Sequence, residues 1–329
     1  MNLKNTNVFI TGAGGFIGSH LCSHLVESGA KVTAMLHYNS RSDWSNLEFL
    51  DKEIKKSLCV VKGNIEDTSF MDSQTKGQDI IFHLAALIGI PYSYEAPLSY
   101  VKTNIQGTVN VLEAARKNNT ELVINTSTSE TYGSALYTPI DELHPLQGQS
   151  PYSASKISAD KLAESYYNSF KTPVITVRPF NTYGPRQSSR AVIPTIISQL
   201  LTEDKLVLGD LSPVRDFTYV DDTANGFLCA AQNDKHVGEV INLGFGKAAT
   251  VGEIAKLIMQ IMGVEKDILS ENSRIRPKDS EVFHLISNNT KANDLIKWEP
   301  EVDLKTGLAK TVDFISNNLE LFKTNSYNI

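Results

Sequence analysis

The chain has 329 residues, of which 41% are hydrophobic and 21% are charged, and its formal net charge at pH 7 is -6. This length suits one large domain or two modest ones, and the composition is ordinary for a soluble globular protein. The negative net charge argues against a broad surface that binds nucleic acid.

The cysteines and the apolar runs bear on the compartment. Cys22, Cys59 and Cys229 show no CxxC spacing and make an odd number, which suits a reducing compartment with buried thiols. The first predicted strand begins so close to Met1 that no signal peptide is expected. The longest apolar run, residues 80–91, is too short to span a bilayer. The sequence therefore predicts a cytoplasmic protein that binds neither membrane nor nucleic acid.

The first half of the chain alternates short apolar runs with amphipathic segments. The pattern predicts helices at 16–29 and 101–119, and it predicts strands at 7–12, 31–36, 59–64, 79–86 and 121–128. This alternation of strand and helix is typical of an α/β protein. We expect a doubly wound parallel sheet with helices on both faces.

The second half is less regular. A helical pattern runs from Pro151 to about Ser169, and a strand follows at 172–179. Residues 179–218 are rich in Pro, Gly and Arg, with a helix predicted around 192–202. Further along, the sequence predicts a strand at 240–246 and a helix at 249–263. Thr250 and Glu253 have the spacing of a capping box at the start of that helix.

A glycine-rich turn joins the first strand to the first helix. Gly12, Gly15 and Gly18 stand in the sequence TGAGGFIG. Glycines at this spacing permit a tight turn and the close approach of a pyrophosphate, which then sits at the positive N-terminus of the helix. We therefore expect a dinucleotide cofactor here. A glycine turn that only packs is the alternative.

The end of the second strand bears on the choice of cofactor. A site that prefers NAD usually carries an acidic residue there to hold the ribose 2′-hydroxyl. Residues 35–41 contain no acid, and His37, Ser40 and Arg41 could instead meet a 2′-phosphate. We expect NADP, with NAD left open. A solvated loop cation is the alternative for Arg41.

Tyr152 and Lys156 lie four residues apart near the start of a predicted helix, so they share one face. A tyrosine has an ordinary pKa of about 10 and is a poor base at neutral pH. A neighbouring ammonium and a cationic nicotinamide both favour the phenolate. This spacing also arises by chance on helix surfaces, but after a glycine turn it favours proton transfer.

The motifs together resemble the extended short-chain dehydrogenase/reductases that act on nucleotide sugars. The resemblance covers nearly the whole chain and rests on TGAGGFIG, HLAA (83–86), STSETYG (127–133), YSASK (152–156), RPFNTYGPRQ (178–187), GDLSPVRDFTYVDD (209–222) and RPKDSE (276–281). It implies a Rossmann-type sheet with a smaller C-terminal substrate lobe. The dinucleotide-binding domain would comprise 1–178 and about 219–243, and the lobe 179–218 and 244–329. It also implies a homodimer through the helices at about 99–118 and 152–169.

The resemblance assigns roles to residues that match the family's motifs. Thr128, Tyr152 and Lys156 would work on the C4 hydroxyl of the sugar, and the substrate would be held by Asn181, Arg186, Arg215 and Arg276. The cofactor would contact the three glycines, Tyr152, Lys156 and the residues at the end of the second strand. It would also contact Phe16, Ile17, Asn64, Ile65, Leu84, Ala85 and Ala86. We expect His83 to be a core histidine. Asp221 and Asp222 are interpreted as a helix N-terminus, and no metal is expected.

Glu130 follows Thr128 by two residues. A 4,6-dehydratase needs a base for the C5 proton once C4 is a ketone, and Glu130 would supply it. A solvated turn carboxylate is the alternative. Thr128-Ser129-Glu130 matches the Thr-Ser-Glu pattern of the GDP-mannose type, in which Ser129 replaces the acid that protonates the leaving hydroxyl. With Ser129 that step could fall to Glu130 or to a water.

The sequence leaves alternatives to this reading. A 4-epimerase needs only Thr128, Tyr152, Lys156 and the cofactor. A UDP-glucuronate decarboxylase resembles the same pattern, yet residues 127–140 contain no basic residue to meet its carboxylate. A protein that only senses the dinucleotide would be expected to lack one of the catalytic residues. The stretches 125–156 and 178–199 also resemble the dehydratases of legionaminic acid biosynthesis, which implies an NDP-N-acetylglucosamine substrate, UDP- or GDP-linked.

Overall fold

The computed structural model describes residues 1–40, 42–271, 282 and 284–322. A parallel sheet of seven strands dominates this part of the chain, in the order β10-β6-β5-β4-β1-β2-β3. The strands are β1 Asn7–Thr11, β2 Lys31–His37, β3 Leu58–Gly63, β4 Ile80–His83, β5 Leu122–Thr126, β6 Val174–Pro179 and β10 Val240–Leu243. The prediction of a doubly wound parallel sheet is confirmed.

Helices cover both faces of the sheet. Because side chains alternate along a strand, Val8 and Ile10 of β1 face one core and Phe9 faces the other. The first face is covered by α1 Phe16–Glu27, α9 Val220–Gln232 and α11 Thr290–Ile296, and the second by α3 Thr68–Gln74, α6 Gly107–Lys117 and α7 Pro151–Phe170.

The C-terminal region builds a second core. Small strands form there, namely β7 Asn181–Tyr183, β8 Leu206–Leu208, β9 Val214–Tyr219, β11 Ala248–Thr250, β12 Ile268–Ser270 and β13 His284–Leu285. Their helices are α8 Val192–Thr202, α10 Val251–Met262 and α12 Leu304–Asn317, which pack around Ile196, Ile254 and Leu308. We propose that the two cores mark the two domains expected from the sequence.

Several predicted elements have different ends in the structure. In place of the single helix predicted at 101–119, the chain forms a π-helical turn, Val101–Gln106, and then α6. Short helices that the sequence analysis did not predict are α2 Lys52–Lys56, α4 Ile90–Glu95 and α5 Pro97–Tyr100. The strand predicted at 79–86 ends at His83, because the hydroxyl of Thr11 accepts the amides of Leu84 and Ala85 at 3.1 Å.

Other local predictions are confirmed. The helix expected around 192–202 is α8, and Thr250 and Glu253 form the capping box of α10. Among the described residues, no helix is both long enough and apolar enough to cross a bilayer.

Candidate active site

A cavity of about 1030 Å³ lies above the carboxyl ends of the sheet strands. It opens where the strand order reverses between β1 and β4, the place where open α/β sheets bind ligands. Its walls come from the glycine turn, the loop after β4, the stretch that follows β5 and the C-terminal lobe. Both cores therefore contribute to one site.

The glycine turn is built so that the backbone comes close to the cavity. Gly12 has φ +72°, and a Cβ there would lie 2.8 Å from the Ala85 nitrogen. A Cβ on Gly18 would lie 2.3 Å from the Gly12 carbonyl oxygen. Neither position tolerates a side chain without a backbone shift. The turn therefore leaves the N-terminus of α1 open to a phosphate, and it fits a dinucleotide cofactor.

The structure places most of the predicted cofactor residues on the cavity wall. Those that line it are Gly12, Gly15, Phe16, Ile17, Gly18, His37, Asn64, Ile65, Leu84, Ala85, Ala86, Tyr152 and Lys156. Of the remaining two, Ser40 is a described residue off this wall, and Arg41 lies outside the described residues. Asn39, Ser45 and Glu66 line the same end of the cavity, and the sequence reasoning missed them.

Tyr152 and Lys156 lie one helical turn apart at the start of α7. Ser150 and Ser153 form a capping box there, which fixes the first turn. Both functional side chains are buried, and the Lys156 ammonium donates to the Thr126 carbonyl at 2.6 Å. The Thr128 hydroxyl lies near enough to Tyr152 to lower the pKa of its phenol. The tyrosine, the lysine and the threonine that the sequence analysis expects to be catalytic are thus brought to one cavity by α7 and the stretch after β5.

Burial controls the protonation of this pair. It raises the pKa of Tyr152 well above its ordinary value, and although the Thr128 hydroxyl lowers it, the charge of Glu130 raises it further. Burial also lowers the pKa of Lys156, which the nearby Asp160 carboxylate partly counteracts. The protein surroundings by themselves therefore favour the neutral phenol. That a neighbouring ammonium favours the phenolate of Tyr152 stays a prediction.

Glu130 lies on the cavity wall in a short 3₁₀ helix, Ser129–Tyr132. Its amide donates to the Thr128 hydroxyl at 3.3 Å, which holds the turn. The turn directs neighbouring side chains to opposite sides: Glu130 faces the cavity, whereas Ser129 is buried and, among the described residues, does not line it. The carboxylate is therefore in a position to meet a bound ligand, and the Ser129 hydroxyl is not.

A buried ion pair lies beside the turn Ser129–Tyr132. Asp160 of α7 accepts from Ser127 at 2.5 Å and from Arg178 at 2.8 Å, and all three side chains are buried. The Arg178 guanidinium also lies over the ring of Tyr132, 4.6 Å from its centroid. This network joins β5, α7 and β6. Sequence reasoning missed it, although Asp160 lies four residues after Lys156 and Arg178 lies in the RPFN motif.

The predicted substrate residues do not all reach the cavity. Asn181 and Arg215 line it, and the buried Asn181 Oδ1 has no hydrogen-bond partner among the described residues. Arg186 does not lie on this wall, because its Nε donates to His20 of α1 at 3.1 Å. Arg276 lies outside the described residues. Arg190, which the sequence reasoning did not single out, lines the cavity.

Comparison with known proteins identifies the family. The family model described as GDP-mannose 4,6 dehydratase matches residues 9–311. The chain belongs to this family of nucleotide-sugar dehydratases and epimerases.

The proteins most similar to this chain include both dehydratases and epimerases. The dTDP-glucose 4,6-dehydratase of Streptomyces antibioticus is 30% identical, over 95% of this chain and 93% of its own. A UDP-N-acetylglucosamine 4-epimerase from Methanobrevibacter ruminantium, solved with UDP-N-acetylmuramic acid, has a TM-score of 0.86 and 30% identity, covering 96% of this chain and 99% of its own. A dTDP-glucose 4,6-dehydratase double mutant from Streptomyces venezuelae, solved with NAD, has a TM-score of 0.87 and 26% identity, covering 96% and 99%.

His83 is a structural histidine in this family member. Its Nδ1 lies 2.9 Å from the Thr11 hydroxyl and its Nε2 lies 3.0 Å from the Thr108 hydroxyl. Burial, with the nearby charge of Lys156, lowers the pKa of His83 to about 3. The ring is therefore neutral and satisfied, which confirms the prediction of a core histidine.

Asp221 and Asp222 occupy the first turn of α9, as the sequence predicts. Although burial opposes it, hydrogen bonds from His20 and His24 hold the pKa of Asp221 below its ordinary range. Asp222 accepts the amides of Glu301 and Val302. In the described part of the chain, no group of three or more histidine, cysteine or acidic side chains is arranged to hold a metal ion.

Proposed function

We propose that the protein is a nucleotide-sugar 4,6-dehydratase that converts an NDP-N-acetylglucosamine to its 4-keto-6-deoxy sugar. The observation that carries the proposal is the position of Glu130. Glu130 lines the same cavity as Tyr152, and its charge raises the pKa of the Tyr152 phenol. A C4 oxidation alone has little use for a second base, whereas an elimination needs one.

The first step concerns the C4 hydroxyl. A bound nicotinamide dinucleotide supplies the hydride acceptor for C4 and the donor for C6, and its positive ring favours the phenolate. Tyr152 takes the hydroxyl proton, and Thr128 holds the oxygen through a hydrogen bond. Lys156, anchored on the Thr126 carbonyl, adds positive charge beside the site. The product of this step is the 4-keto sugar.

The second step is the loss of water. The ketone acidifies the C5 proton, which Glu130 removes, and the C6 hydroxyl leaves with a proton as water. A C5–C6 double bond results. The reduced dinucleotide would supply the hydride for C6, and Glu130 or a water would return a proton to C5, which gives the 4-keto-6-deoxy product. Because Ser129 faces away from the cavity, we assign the proton for the leaving group to Glu130 or to a water.

The cofactor is NAD or NADP, and it is recycled within each turnover. The relatives solved with NAD support NAD. The absence of an acidic residue from the end of β2, where His37 lines the cavity, supports NADP. We keep NADP as the proposal. Titration of the apoprotein with each dinucleotide decides between them, and tighter binding of NAD would contradict it.

The substrate class and the assembly are further parts of the proposal. The resemblance to the dehydratases of legionaminic acid biosynthesis supports N-acetylglucosamine as the sugar. The nucleotide that carries the sugar is UDP or GDP. Asn181 and Arg215 would hold the diphosphate, together with Arg276. We propose a cytoplasmic homodimer through the segments at 99–118 and 152–169.

A 4-epimerase is the second candidate, because an epimerase is among the solved structures at 30% identity. It would use Thr128, Tyr152 and Lys156 and leave Glu130 without a role. Mass spectrometry of the products from UDP-GlcNAc, GDP-GlcNAc, GDP-mannose and UDP-glucuronate separates the candidates. Loss of one water supports the dehydratase. An unchanged mass with a new isomer, or loss of carbon dioxide from UDP-glucuronate, would overturn it.

A further inference from the structure

Arg190 is a cation on the cavity wall that the proposed chemistry does not use. It follows β7 in the loop that leads into α8. Within the described residues its guanidinium has no carboxylate partner, and its one side-chain hydrogen bond is a long one of 3.4 Å, to the Ser188 hydroxyl. The side chain is exposed, and it borders the same cavity as Glu130 and Arg215.

Gly89 leaves space for the guanidinium of Arg190. A Cβ on Gly89 would lie 2.6 Å from Nη1 of Arg190, so the arginine occupies space that any other residue would fill. The backbone does not require glycine there, because Gly89 has φ -72°. The absent side chain therefore permits the close approach of Arg190.

This contact brings the charge close to the catalytic tyrosine. The Tyr100 hydroxyl donates to the Gly89 carbonyl at 2.5 Å. The Tyr100 ring packs edge-on against Tyr152, with 6.2 Å between centroids, and Ile90 packs with both. Arg190 thus lies beside Gly89, and Tyr100, which bonds to Gly89, contacts Tyr152 directly.

We propose that Arg190 binds an anionic oxygen group on the sugar side of the bound nucleotide. This inference rests on the proposed nucleotide-sugar substrate. A guanidinium without a carboxylate partner, presented to a cavity, matches a phosphate or a carboxylate through charge-assisted hydrogen bonds. The group is the phosphate next to the sugar or a C6 carboxylate on the sugar.

The second source matters for the choice of reaction. Residues 127–140 contain no basic side chain, which on sequence grounds counts against a uronate substrate. Arg190 comes from a segment far along the chain, and it supplies a cation that this local stretch lacks.

The proposal is tested by calorimetric titration of the cofactor-loaded protein with UMP, UDP, UDP-GlcNAc and UDP-glucuronate. The corresponding guanosine nucleotides replace them if the protein binds those instead. The variants are Arg190→Gln and Gly89→Ala, whose methyl group displaces the guanidinium. Lys256→Gln on α10 is the control, because it also removes one exposed positive charge but does not border the cavity.

A phosphate contact predicts that Arg190→Gln weakens UDP and both UDP-sugars by roughly tenfold and leaves UMP unchanged. A carboxylate contact predicts the same loss for UDP-glucuronate alone. In either case Gly89→Ala acts in the same direction, and the double variant is no worse than Arg190→Gln. The control binds as the wild type does.

Unchanged affinities in Arg190→Gln for every ligand would overturn the inference, and so would a cavity that binds no nucleotide. The outcome is distinguishable from failure of the proposed reaction, because binding is measured without turnover. An Arg190 effect without dehydration contradicts only the reaction. Dehydration with no Arg190 effect contradicts only this inference.

Discussion

Asp160 and Arg178 form an ion pair of 2.8 Å beside the turn Ser129–Tyr132, and neither side chain is more than 5% exposed. Since Asp160 also accepts from Ser127, the pair connects the strand before Thr128 to the helix that carries Tyr152 and Lys156. A buried pair of this kind is expensive to break, because the remaining charge stays in the interior without a partner.

We expect Arg178→Met to lower the free energy of unfolding by about 3–5 kcal/mol, because it leaves Asp160 buried and unpaired. Urea denaturation followed by circular dichroism measures this loss. Lys117→Met is the matched control: Lys117 pairs with Asp72 at the surface, and loss of an exposed pair costs less than about 1 kcal/mol. Equal losses in the two variants would contradict the structural role of the buried pair.

We expect Glu130→Gln to stop the reaction after C4 oxidation. Tyr152, Thr128 and Lys156 remain in place, so substrate should still reduce the bound cofactor, seen as the near-ultraviolet absorbance of the reduced nicotinamide. No water should be released. Tyr152→Phe is the comparison and should abolish even the reduction. Normal product formation by Glu130→Gln would remove this carboxylate from the mechanism.

Gly18→Ala should weaken cofactor binding by roughly tenfold or more, because its methyl group would lie 2.3 Å from the Gly12 carbonyl oxygen and shift the turn. Fluorescence titration with NAD and NADP measures the affinity. Gly252→Ala is the matched control, since its nearest neighbour outside α10 is 3.6 Å away. If Gly18→Ala bound both dinucleotides as tightly as the control, the turn would not be the phosphate site.

His83 should make folding sensitive to acid. Its pKa is lowered to about 3 in the folded chain, against an ordinary value of about 6.5 when unfolded. The unfolded chain therefore takes up a proton first, and the stabilisation present above pH 6.5 is lost as the pH falls towards 3, at roughly 1 kcal/mol per unit.

His83→Gln keeps an amide that can bond to Thr11 and Thr108 but does not titrate. Urea denaturation of both proteins between about pH 7 and 4 should therefore show a shallower loss of stability in the variant. The carboxylates titrate equally in both proteins and cancel in the comparison. Parallel curves would mean that His83 is protonated, or already exposed, in the folded chain.

Much of this architecture could be predicted from local sequence patterns. The alternation of strands and helices, α8, and the capping box of α10 could be predicted because each depends on contacts within a few residues. The glycine turn and the pair Tyr152 and Lys156 could be predicted for the same reason.

Other features do not follow from local patterns, and only the tertiary structure shows them. The π-helical turn at Val101–Gln106 interrupts a pattern that predicts one continuous helix. The ion pair of Asp160 with Arg178, the turning of Arg186 towards His20 and the placing of Arg190 over Gly89 each join distant segments. The sequence by itself determined the sheet and the reactive side chains, because periodicity and short motifs are local. The tertiary structure decided which cations face the cavity, because that depends on how the second lobe packs against the first.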